Sequence, residues 1–126
     1  MGREIDILTI EKAIYEAFKQ VSEHVFINNA PRATAEQMTD YIVIEVGNNI
    51  TFEGTYKKAY ADFYLYVRQK KSDMDDVPRN NTLFNKLLSM IPFVTDTFSI
   101  ITPTVNIGGR EGNFSVNAVR CNLIIK

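Results

Sequence analysis

A single histidine, His24, and a single cysteine, Cys121, bound the chemistry open to this chain. Zinc ligation needs several His, Cys or carboxylate groups at ligand spacing, so no metal site is expected within one chain. His24 ends a helical pattern, where an imidazolium interacts well with the helix dipole. Nucleophilic catalysis needs Ser, Cys or Thr held against a base. His24 stands next to Glu23 but far in sequence from Ser115 and Cys121. Cys121 shares its alternation with Val119, Leu123 and Ile125, which predicts a buried structural thiol. Glu45 and Asp62 could face each other across adjacent strands, as glycoside hydrolysis requires, but nothing around them marks a sugar cleft. Asp73, Asp75 and Asp76 lack the glycine and glutamate of a calcium loop and read as a solvated turn. Gly108-Gly-Arg-Glu-Gly112 lies between two strand patterns, whereas phosphate-cradling loops precede a helix. Its glycines suit a hairpin turn. No catalytic residue, cofactor or metal is expected, and the chain reads as non-enzymatic.

Bulk composition points the same way. A chain of 126 residues, 45 % apolar, suits one domain over residues 1–126 with its own core. Its 14 basic and 15 acidic groups leave a net charge of −1, without the cationic surplus that nonspecific nucleic-acid binding needs. No apolar run approaches the ~18 residues that would span a membrane. One cysteine and no apolar leader predict a reducing, cytoplasmic setting.

The elements that must position these residues follow from periodicity. Ile10, Ala13, Ile14, Ala17, Phe18 and Val21 recur at helical spacing behind a Thr9 cap. Val25-Phe26-Ile27 reads as a short edge strand, and Thr34-Ala-Glu-Gln37 as a capping box. Tyr41 to Val46 is a β-branched strand, broken by Gly47-Asn48-Asn49. From Ala59 to Gln69 the odd positions are apolar, while the even ones carry Tyr60, Asp62, Tyr64, Tyr66 and Arg68. Asn81 is placed to cap a second helix, Thr82 to Ile91, stopped by Pro92. Strands over 97–107 and 113–125 complete the pattern, with Pro103 demanding an edge or a bulge. The order predicts an α+β two-layer sandwich: a mostly antiparallel sheet with two main helices packed on one face.

Two helices cannot easily cover both faces of such a sheet. Tyr60, Tyr64 and Tyr66 fall on the face opposite the core stripe, and the last strand adds Phe114, Val116 and Ala118 there. Apolar surface of this kind suits contact with another chain.

In pattern, nearly the whole chain resembles the tail-terminator, or tail-completion, proteins of long-tailed bacteriophages (minor tail protein U-like). The likeness lies in the Ile10 to Val21 helix, the Pro31 loop, Tyr41-Ile-Val-Ile-Glu-Val-Gly47, and Phe52-Glu-Gly54. It continues through Tyr60-Ala-Asp-Phe-Tyr-Leu-Tyr-Val67, the Leu83 to Ile91 helix and a terminal hairpin ending on Phe114 to Ile125. Pro103 departs from a typical member. The resemblance implies a structural virion protein at the head–tail junction, assembled in the host cytoplasm. It would form a ring, commonly a hexamer, that caps the tail tube, ends its polymerisation and meets the head-completion connector protein. Tyr60, Tyr64, Tyr66, Phe114 and Val116 are then candidates for lateral contacts between copies. Lys57, Lys58 and Arg110, on loops at Gly47–Lys58 and Gly108–Asn113, are candidates for axial or lumen surfaces past which DNA moves without specific binding. A head-completion or neck adaptor of the same fold is the alternative. Further readings are a small ligand-binding domain or enzyme using Glu45, Asp62 and the tyrosines, and nucleic-acid binding through Lys57, Lys58, Lys70 and Lys71.

Overall fold

A computed structural model describes residues 6–30, 37–71 and 74–126. Helix α1 spans Ile7–Phe18 and begins at Asp6, whose carboxylate accepts from the Thr9 amide (3.1 Å) and hydroxyl (2.6 Å). Thr9, expected as the cap, is the donor to it. The hydroxyl and amide of Thr9 together hold the Asp6 carboxyl below the usual carboxylate range. Ile10, Ile14 and Phe18 are buried one turn apart. His24 does not end the helix: it stands beyond the turn after Phe18, where its carbonyl accepts from the Ile42 amide.

Four long strands carry the fold: β2 (Asp40–Glu53), β3 (Tyr56–Arg68), β5 (Phe98–Glu111) and β6 (Phe114–Ile125). Two short ones flank them, β1 (Val25–Ile27) and β4 (Phe93–Val94), and helix α2 (Val77–Ser89) precedes β4. The sheet order is β1-β2-β3-β6-β5-β4, antiparallel except for β1 beside β2. Asp76, not Asn81, caps α2 by accepting from the Arg79 amide, and Pro78 occupies the first turn, where no N–H is missed. Asn81 sits inside that helix. The Thr34 capping box and Asp73 lie outside the described residues.

The two-layer sandwich expected from the element order is not what forms. Strands take 53 % of the chain, and the sheet of six curls into a half-barrel. Ile10, Ile14, Phe18 and Leu87 are what the helices bury in a core otherwise built mainly by Ile42, Ile44, Phe63, Leu65, Phe98, Ile100 and Leu123 on the strands. The physical cause is strand length and bulging. Gly47-Asn48-Asn49, read as a break, is absorbed by register shifts at Val46/Asn48 and Asn48/Thr51, so β2 continues to Glu53. On β5 the shifts fall at Ile101/Thr104, around Pro103, and at Asn106/Gly109. Each bulge adds local twist, and long twisted strands coil rather than lie flat. Gly47 is required here. At φ +88° a Cβ would stand 2.9 Å from Ile7 Cδ1, where α1 crosses β2.

Candidate functional site

The apolar stripe of β3 points into the core, and its even positions point the other way, as alternation predicts. Register then fixes their neighbours. Tyr66 lies between Tyr41 and Val116, Tyr64 between Val43 and Ala118, and Asp62 between Glu45 and Arg120. Tyr60, Tyr64, Tyr66, Phe114 and Val116 therefore do share one face.

That face is less bare than the sequence suggests. The Tyr41 and Tyr66 rings stack at 4.4 Å, and Phe114 meets both edge-on at 5.3 and 6.3 Å. Phe26 closes on Tyr41 from β1, and the Arg68 guanidinium lies 4.8 Å over the Phe114 ring while donating to the Met38 carbonyl. Phe114 is 6 % exposed, so it belongs to this second small core and keeps little surface for a neighbour. Tyr60, Tyr64, Tyr66 and Val116 remain half-buried.

Next to the stack, Arg120 donates to both oxygens of Asp62 (2.8 and 3.1 Å) and lies 4.3 Å over the Tyr60 ring. Asn48 adds a bond to the same carboxylate. Asp62 does face Glu45 in register, but it is 3 % exposed and held in an ion pair with Arg120, so its carboxylate is covered rather than presented to a substrate. Glu45 accepts from the Tyr64 hydroxyl at 3.5 Å, and the Glu111 charge acts on Tyr66. Burial, then the negative charge of Asp62, pushes the Tyr64 phenol up. Burial, then Glu111, pushes Tyr66 well above the ordinary phenol value. Between these residues runs an open groove of ≈ 790 Å³, bounded also by Asn28 and Asn29.

The basic candidates are not on loops. Lys57 and Lys58 belong to β3 and Arg110 to β5, since the turns are Gly54-Thr55 and Gly112-Asn113. Nor do they come together. Lys57 pairs with Ile125 and Arg110 with Ser115, which puts them at opposite ends of β6, roughly 33 Å apart at ~3.3 Å per residue. Arg110 is 3.6 Å from Asp75, whereas Lys57 and Lys58 enter no ion pair among the described residues. Lys70 and Lys71 sit on a tight turn with Met74.

Ser115 is within 3.0 Å of Asn80 Oδ1 on the core side, where Asn117 also donates to Asn80 and ties α2 to β6. Cys121 is wholly buried, and burial, then the Asp62 charge, pushes its thiol up to about 12. No group of His, Cys, Asp and Glu suited to a metal occurs among the described residues. Sequence reasoning placed Arg68 on this face but missed Tyr41, Glu111 and Arg120. Alternation along 40–46 already puts Tyr41 and Glu45 on the side of the tyrosines, whereas Glu111 needed the true turn position. No family model matches the sequence, and no curated protein matches it either.

Proposed function

We propose that this chain is a structural ring protein of the tail-terminator kind, which caps a phage tail tube and joins it to the head connector. The observation that carries the reading is the outer half of β5. Its neighbour β4 covers only Ser99 and Ile100, and beyond them Val105 and Ile107 are 44 % and 67 % exposed. Such an edge is a contact waiting for another chain, and Pro103 and the bulges keep it from indiscriminate pairing. A cyclic ring needs heterologous contacts, one patch meeting a different one. The β5 edge and the face bearing Tyr60, Tyr64 and Val116 are two such patches. The ends differ as well. Lys57 and Lys58, which enter no ion pair among the described residues, mark one, and the Arg110–Asp75 pair marks the other, which suits a part that meets the tail tube protein below and the head-completion protein above. DNA would pass without specific binding.

Size-exclusion chromatography with light scattering tests the proposal, followed by electron microscopy of the purified protein. A ring is expected, or its appearance on adding tail tube. A strict monomer at high concentration that forms no ring on tail tube refutes it.

A further inference from the structure

The face opposite the core repeats one arrangement. A carboxylate stands beside a tyrosine on β3 at Asp62 with Tyr60, at Glu45 with Tyr64 and at Glu111 with Tyr66. In the first, a guanidinium completes the set: Arg120 binds Asp62 through two N–H groups and stacks on Tyr60. The other two hold no cation. Glu45 and Glu111 enter no ion pair among the described residues, and both line the same groove. The Tyr64 hydroxyl donates to Glu45 and so leaves the outer lone pairs of that carboxylate available.

We infer that this groove docks an arginine-bearing segment of a different protein, a guanidinium laid on Tyr64 and donating to Glu45, with Glu111 as a second carboxylate in the groove wall. Charge selects the occupant, because Glu45 and Glu111 outnumber the one guanidinium in the groove wall, that of Arg68, and so repel a phosphate or an acidic peptide. Shape selects arginine over lysine, because only a planar fork both stacks on a ring and bonds a carboxylate through two N–H groups. Among the described residues, a second copy of this chain is a poor source. Arg79, Arg110 and Arg120 are bound to Asp40, Asp75 and Asp62, and Arg68 lies on Phe114. The docking does not depend on the ring reading and applies to a monomer as much as to an assembly.

The test titrates the full chain with a blocked Gly-Arg-Gly-Arg-Gly peptide by calorimetry at low salt. Its lysine counterpart, spermidine and a glutamate peptide serve as comparisons. Saturable binding of the arginine peptide is expected, weakened at least tenfold in a Glu45→Gln, Glu111→Gln double variant and by raised salt. Glutamine at 45 keeps an acceptor for the Tyr64 hydroxyl, and a thermal melt confirms the fold. Should the double variant not fold, Glu111→Gln alone is read, since Glu111 is exposed. No saturation, equal binding of lysine peptide or spermidine, or no effect of the glutamine changes overturns the inference. So does loss of self-association in the variant without any peptide binding by the wild type, which would assign the groove to a second copy.

Discussion

Replacing Phe114 with alanine distinguishes a ring that holds this chain together from one that meets a neighbour. The ring is 6 % exposed and touches Tyr41, Tyr66 and the Arg68 guanidinium, at 5.3, 6.3 and 4.8 Å. Truncating a buried phenylalanine costs about 3–5 kcal/mol, the sum of lost transfer energy and a residual cavity. The groove beside it lets the tyrosines relax inward, which favours the lower figure, about 3 kcal/mol. Unfolding entropy near 60 °C is about 2.1 cal/mol/K per residue, or roughly 0.26 kcal/mol/K for a chain of 126. The melting temperature should then fall by about 12 °C. The assay is a thermal melt followed by circular dichroism, repeated over a hundredfold range of protein concentration. An intrachain role predicts the same drop at every concentration. A loss below about 1 kcal/mol, or a drop confined to high concentration, would refute the packing argument and return Phe114 to the lateral contacts.

Other expectations follow from single sites. Gly47→Ala should lose about 1–2 kcal/mol from its left-handed φ, plus the collision with Ile7. Gly54→Ala, also at positive φ but with open space around it, should lose the backbone part only, and urea titrations of both separate the two. Stability should fall in alkali, because Cys121 is held up to about 12 and an unfolded thiol ionises near ~8.5, so the folded state binds more protons between those values. The slope is at most about 1.4 kcal/mol per pH unit, and Cys121→Ala should flatten it; stability that is level or rising above about pH 9 contradicts this. Arg120→Leu should destabilise more than Asp62→Asn with Arg120→Leu together, because the single change strands a buried carboxylate. Equal losses in a double-mutant cycle would remove the pairing argument.

Periodicity is legible where side chains alternate between core and water, so the β3 stripe and the α1 face emerge from the residues alone. Helix starts were not, for a common reason. Asp6 and Asp76 each precede the apolar period by several residues, and in both cases a nearer polar residue, Thr9 or Asn81, looked like the cap. The curl was hidden because Gly47-Asn48-Asn49 and Gly108-Gly109 carry the residue types of turns. A bulge needs the same positive φ angles as a turn, and only the pairing partner tells them apart. The carboxylate–tyrosine pairs depend on register across strands far apart in sequence, as Tyr66 and Glu111 are, which no local pattern encodes.

The curl also changes what a neighbouring molecule can recognise. On a flat sheet Tyr41, Tyr66 and Phe114 would each offer a ring to the outside, and apolar burial would dominate any contact. Once the rings stack on one another, what faces outward is their rim, together with the Tyr64 hydroxyl bound to Glu45, Glu111, half-buried Val116 and the Arg120–Asp62 pair. Contact through this face is then polar at its centre and discriminates by charge and geometry. Exposed apolar side chains lie elsewhere, Val105 and Ile107 on the outer half of β5 and, apart from them, Leu8, Phe52, Val77 and Val94. On the two proposals together the tasks separate: β5 would supply area to hold a neighbour, and the tyrosine face would supply selectivity for a basic partner.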